Sequence, residues 1–110
     1  MGDGARRWSL GELREHHAAH RRAYDEVLRV EALSAGLYRL GVGASDQQAP
    51  HQEDEVYVVL AGRGSIDLEG DRARVSPGTV VYVPKGMQHR FVDITEDLDV
   101  LVVFAPPESG

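Results

Sequence analysis

His51, Glu55 and His89 are the side chains of this sequence whose types and placement suit a divalent metal. His51 stands in the stretch "DQQAPHQEDEVYVVLAG", residues 46–62, just ahead of Glu53, Asp54 and Glu55 and of an apolar run at 56–60. Strands disfavour Asp and Glu, so carboxylates crowded beside an imidazole at a strand mouth call for a reason. Period-two alternation puts Ala49, His51, Glu53 and Glu55 on one face, followed by Tyr57 and Val59. A bulge in the charged stretch would rotate Glu53 away, which makes Glu55 the firmer of the two. An imidazole and a carboxylate turned into a barrel interior are costly unless paired or metal-bound. His89, after the turn "PKG" at 84–86, supplies a second imidazole. On a strand beside that of His51 it completes a set of two histidines and one carboxylate. With open positions such a set suits Fe(II), and the same ligand types suit Mn, Ni, Co or Zn. The competing reading is a surface imidazole beside a solvated acidic loop.

The elements that must position these groups are short. "SLGE" is a capping box, with Ser9 as N-cap and Glu12 three residues on, and predicts a helix from Leu10 to about His20. Its thin apolar content means that it packs on something else. From Tyr24 onward "VLRV", "GLYRLGV", "VYVVL", "SIDLE", "RARV", "TVVYV", "HRFVDI" and "DVLVVF" alternate with turns, "EGD" at 69–71, "SPG" at 76–78 and "PKG" among them. About eight short strands at this spacing predict an all-β sandwich or barrel. "GRG" at 62–64 lacks the Lys-Ser/Thr and following helix of a phosphate loop and is expected as a strand-end turn.

Two gapped motifs resemble those of small single-domain cupins. The first, G(X)5HXH(X)3–4E(X)6G, is met by Gly43, five residues, Ala49 in place of the first histidine, His51, Glu55 after three residues and Gly62 after six. The second, G(X)5PXG(X)2H(X)3N, is met by Gly78, "TVVYV", Pro84, Lys85, Gly86, "MQ", His89, "RFV" and Asp93 in place of the asparagine, with 15 residues between the motifs. The resemblance covers about residues 27–105 and implies a double-stranded β-helix, a jelly-roll barrel, with one short N-terminal helix. It divides the chain into a tail and helix at 1–26 and a barrel at 27–110. It implies His51, Glu55 and His89 as ligands of one divalent metal ion, and a small organic molecule in the barrel. Ala49 leaves one ligand position to water or to an oxygen of Gln47, Gln48 or Glu53. Asp93 is expected at a turn or rim.

For function, the resemblance favours a dioxygenase-like or an isomerase/lyase-like reaction, with Glu53 or Tyr57 as candidate general acid or base. The alternatives are a non-enzymatic binding or sensing module and a metal-free structural dimer. The fold itself does not choose, because one fold hosts many functions. Cupins often pair through strand edges, so a homodimer is expected. His16, His17 and His20 lie on the predicted helix. His16 and His20 are spaced to clip a metal, but no HExxH carboxylate accompanies them, and they are expected as a solvated helix face.

The 110 residues suit one domain, and a formal charge of −6 disfavours a nucleic-acid partner. Arg6, Arg7, Arg14, Arg21, Arg22 and Arg29 are half of the 12 basic residues. They are offset by Glu12, Glu15, Asp25 and Glu26, which reads as a solvated surface. Without cysteine no disulfide or thiolate metal site is possible, which is compatible with a reducing cytoplasm. No run of about 18 apolar residues marks a membrane span, and "MGDGARRW" lacks a signal peptide's apolar core.

Overall fold

The computed structural model describes residues 4–46 and 48–109. Helix α1 spans Leu10–His20. Its capping box is closed in both directions: Ser9 Oγ accepts from Glu12 N at 3.1 Å and Glu12 Oε1 accepts from Ser9 N at 2.9 Å. It ends where Arg21 turns left-handed (φ 51°) and donates its N–H to His17 O. Leu13 is its one buried residue, so polar contacts must fix it to the sheet. Arg14 Nε donates to Asp99 Oδ2 at 2.7 Å, and His16 reaches Asp25. It is not long and apolar enough to cross a membrane.

Among the described residues six antiparallel strands follow: β1 Tyr24–Arg29, β2 Ser34–Leu40, β3 Asp54–Leu68, β4 Asp71–Val75, β5 Val80–Val83 and β6 His89–Ala105. Their order is β1-β2-β6-β3-β4, with β5 also paired to β3. The architecture is an all-β jelly-roll barrel with a short N-terminal helix. Strand β1 begins at Tyr24, so it straddles the expected division between residues 26 and 27.

Two strands are far longer than the sequence reading expects, because "VYVVL" joins "SIDLE" in β3 and "HRFVDI" joins "DVLVVF" in β6. They pair from Asp54↔Ala105 to Leu68↔His89, with register shifts between Val59 and Ser65. "GRG" is therefore not a strand-end turn but a bulged crossing inside β3. Gly62 has φ 90°, and a Cβ there would lie 2.0 Å from Asp97 O, a separation no side chain tolerates. The bulge lets one strand serve two halves of the barrel: β5 and the end of β6 on one side, β4 and the start of β6 on the other.

Alternation along these strands fills the interior. Tyr57 and Val59 of β3 meet Val100, Val102 and Phe104 of β6, Val83 of β5 and Tyr38 of β2. In this apolar lining Glu55 is the buried carboxylate of β3, and His89 opens β6 beside it.

Candidate metal centre

Three different local structures aim the candidate ligands at one point. Glu55 sits in the β3 ladder between Val83 and Phe104, in phase with Tyr57 and Val59, so it must face inward. His89 follows the turn at 84–86, and its Nδ1 donates to Met87 O at 2.9 Å, which directs Nε2 into the barrel. His51 precedes β3, and Gly86 N donates to His51 O at 2.8 Å, tying that loop to the same turn. One donor atom from each of the three lies within 4.8 Å of the others. Nε2 of His89 is 3.2 Å, and Nε2 of His51 4.0 Å, from Glu55 Oε1.

The donor set fits a cation. Glu55 is 1% exposed, and both its oxygens and His89 Nε2 lack a hydrogen-bond partner. The 3.2 Å approach of Glu55 and His89 is thus an ion-pair distance without hydrogen-bond alignment. A neutral His89 with its proton on Nδ1 points a lone pair at the carboxylate oxygen. Leaving that pair bare in a dry interior costs several kcal/mol. A proton on Nε2 or a metal between the groups relieves it. Burial opposes the charged imidazole, but Glu55 and the Met87 carbonyl outweigh it and raise the His89 pKa above the ordinary histidine value.

A second layer holds this set. Asp46, 4% exposed, accepts from Phe91 N at 2.8 Å, from Gln48 Nε2 at 2.9 Å and from the Tyr38 hydroxyl. Because the Gln48 amide nitrogen is taken by Asp46, its Oε1 faces the other way, 3.1 Å from His51 Nε2 and 3.3 Å from the Tyr57 hydroxyl. On the far side of the His51 ring, Glu108 Oε2 lies 3.6 Å from Nδ1. If the His51 proton moves from Nε2 to Nδ1, it turns towards Glu108, the usual partner arrangement of a metal-binding imidazole.

Tyr24, Tyr38, Gln48, His51, Glu55, Tyr57, Val102, Phe104 and Glu108 line a cavity of about 140 Å³ together with Ala23. An open groove of about 620 Å³ is lined by Gln48, Asp67, Glu69, Gln88, His89 and Arg90. Gln48 lines both and therefore stands between the interior and the surface. In the inner cavity the phenols of Tyr24, Tyr38 and Tyr57 all have raised pKa values. Burial is the main cause in each case, helped by nearby carboxylates. The Tyr24 hydroxyl is buried without a partner, over Gly36, where a Cβ would lie 2.8 Å from it.

Other sequence-predicted residues lie elsewhere. Ala49 is exposed, because residues 49–53 form no strand and the alternation assumed for them does not apply; Gln48 turns inward instead. Glu53 is buried but accepts from Ser109 Oγ at 2.7 Å and lies outside the His51–Glu55–His89 group. Gln47 lies outside the described residues. Asp93 is exposed at φ 50° and pairs with Arg72 at 2.9 Å. His16 is not on a merely solvated face: its Nδ1 is 2.5 Å from the buried Asp25 carboxylate. Asp46 and Glu108 carried no expectation. Asp46 is one acid in a polar loop, and Glu108 reaches the cavity only because the chain leaves the sheet at Pro106 and Pro107, which lack the N–H a ladder needs.

Comparison with known proteins matches residues 36–104 to the Cupin domain family. An uncharacterized protein of Streptomyces coelicolor is 50% identical over 100 residues, which is 91% of this chain and 95% of that one. Glucose-6-phosphate isomerase of Pyrococcus furiosus is 43% identical over 61 residues, 51% of this chain but 32% of the isomerase. The structure of KdgF from a Halomonas species superposes with a TM-score of 0.69 at 27% identity, over 76% of this chain and 78% of that one.

Proposed function

The chain belongs to the cupin domain family, and from that premise we propose that His51, Glu55 and His89 bind one divalent metal ion beside a small organic ligand. The observation that carries this reading is the buried Glu55 carboxylate, both of whose oxygens lack a hydrogen-bond donor. The metal is Fe, Mn, Ni, Co or Zn, the ions that two imidazoles and a carboxylate favour. When bound it supplies Lewis-acid polarisation of a ligand oxygen.

The chain's own residues set what the ligand is. A cavity of about 140 Å³ is well below the roughly 300–1,000 Å³ of drug-sized pockets, so the ligand is a few heavy atoms or enters only in part. Among the described residues no lysine or arginine lines that cavity, which disfavours a phosphate and hence the isomerase's own sugar phosphate. Burial and nearby carboxylates keep the tyrosines protonated. Tyr38 donates to Asp46, Tyr57 donates to Gln48 at only 3.3 Å, and the unpartnered Tyr24 hydroxyl is left to donate to a ligand hydroxyl or carbonyl oxygen. Tyr57 is thus a hydrogen-bond donor or general acid rather than a base. Glu108, whose pKa burial raises, is a better placed proton acceptor than Glu53.

We favour an isomerase/lyase-like proton transfer on a small hydroxycarbonyl compound, in keeping with the likeness to the Pyrococcus isomerase. A dioxygenase-like reaction is the second reading, supported by a set of only three strong donors, which leaves room for both substrate and oxygen. Elemental analysis of untagged protein tests the metal, and loss of that metal in folded His51→Ala and His89→Ala tests the ligands. Oxygen uptake against a panel of small hydroxycarbonyls then separates the two reactions. Metal that binds with no turnover leaves the binding or sensing role.

A homodimer is supported by β5, an outer strand that among the described residues pairs only with β3 and on which Val80 and Tyr82 are 64% and 58% exposed. We place the protein in the cytoplasm because a chain without cysteine suits a reducing compartment. We treat helix and barrel as one unit, since Arg14 of α1 and Arg39 of β2 share Asp99 of β6.

A further inference from the structure

A second cluster of metal-ligating side chains lies outside the barrel, where the last turn of α1 meets β1. His16 and His20 are four residues apart, so they share one face of the helix, and their rings stack with centroids 4.4 Å apart. Facing them is Asp25, the second residue of β1 and only 4% exposed. His16 Nδ1 lies 2.5 Å from Asp25 Oδ2, and His20 Nδ1 lies 3.5 Å from Asp25 Oδ1. One donor atom of each lies within 4.8 Å of the others.

Among the described residues Asp25 makes no ion pair with lysine or arginine. The neighbouring Arg14 and Arg39 are both turned to Asp99. A buried carboxylate held only by two imidazoles lacks a permanent counter-charge. The negative end of the α1 dipole lies at the same turn and adds to the pull on a cation.

We propose that His16, His20 and Asp25 form a second divalent-metal site that pins the end of α1 to the barrel. Two imidazoles and one carboxylate, half open to water, select Zn(II), Ni(II), Co(II) or Cu(II) over Mg(II) or Ca(II). Donors on a tetrahedral zinc lie about 3.3 Å apart at bonds of about 2.0–2.1 Å. The 3.5 Å His20–Asp25 separation already suits that spacing. The His16–Asp25 contact must open by about 0.8 Å to reach it, and His20 Nδ1 must give up its 2.7 Å bond to His16 O. Water completes the coordination. The site stabilises a helix that buries only Leu13 and that otherwise rests on Arg14–Asp99 and on His17 Nε2 donating to Ala23 O at 2.9 Å.

The site is independent of the barrel set, and the test separates them. Untagged protein is titrated with Zn(II) alone by calorimetry, and its melting temperature is followed with and without Zn(II). In His51→Ala/His89→Ala protein, about one equivalent should still bind and still raise the melting temperature. In His16→Gln/His20→Gln protein, the stoichiometry should fall by about one relative to the unsubstituted chain. Glutamine keeps an N–H donor for Asp25, and a melting curve without Zn(II) checks that the variant is folded. If the barrel variant does not fold, the drop in stoichiometry alone decides. Zn(II) stoichiometry and melting unchanged by His16→Gln/His20→Gln would overturn the proposal and leave the cluster as an imidazole–carboxylate hydrogen bond.

Discussion

Nε2 of His89 stands 3.2 Å from Oε1 of Glu55, both atoms buried and neither hydrogen-bonded. The two groups are 34 positions apart in the sequence and meet because β5 pairs Val83 with Glu55 and the turn at 84–86 leads from Val83 to His89. What occupies the space between them, a proton or a metal, decides what the barrel does.

Proton and metal compete there, which sets the pH dependence. The folded-state pKa of His89 is raised above the ordinary histidine value. In metal-free protein, the charged His89–Glu55 pair is therefore fully present below the unfolded value and lost as pH rises through the folded one. The metal needs the deprotonated ring, so its affinity should climb over that same rise and level off above it. Calorimetric titrations with one metal across pH 5–9 check this. A flat profile would show that His89 does not ligate.

Glu55→Gln should separate the cost of the carboxylate from its use. With chelator present, above the pH at which His89 loses its proton, the variant should be as stable as the unsubstituted protein or more so, by about 1–3 kcal/mol. The gain in melting temperature on adding metal should shrink sharply. Denaturant curves with and without metal measure both effects, and a strongly destabilised metal-free variant would mean that Glu55 has a structural partner.

Position 48, not 49, should take a further ligand. Gln48 Oε1 is 3.1 Å from His51 Nε2, whereas Ala49 is exposed. Gln48→His should therefore tighten metal binding about tenfold or more, and Ala49→His should leave it unchanged. Competition with a chromogenic chelator ranks the two, and the reverse order would place the loop differently in solution.

Glu108 should matter through His51. Glu108→Gln removes the carboxylate 3.6 Å from His51 Nδ1 and should weaken metal binding about 10–100-fold while leaving the melting temperature of metal-free protein little changed. Ser109→Ala, which frees Glu53 instead, should have no such effect. Equal losses in the two variants would point to the C-terminal segment rather than to the carboxylate.

Much of this was legible in the sequence wherever a local pattern carries the geometry. Ser9 and Glu12 fix the start of α1 because a capping box is satisfied within four residues. Alternation along β3 turns Glu55 inward, and the turn at 84–86 places His89 and holds the His51 loop through Gly86 N; both are short-range. Non-local features were not legible. The bulge at Gly62 depends on Asp97 crossing within 2.0 Å of where a Cβ would sit, and nothing near position 62 reports that. The inward turn of Gln48 depends on Asp46, itself held by Phe91 N and Tyr38 from two other strands. Ala49 was expected to face the set because alternation was carried past the end of β3, and a loop does not keep that period.

Anomalous diffraction from crystals of the untagged protein, collected at the absorption edge of the metal found in it, tests the central claim most directly. We predict a peak inside the barrel, about 2.0–2.2 Å from Nε2 of His51, a carboxylate oxygen of Glu55 and Nε2 of His89. A stoichiometrically metal-loaded crystal with no peak among those three side chains would contradict it.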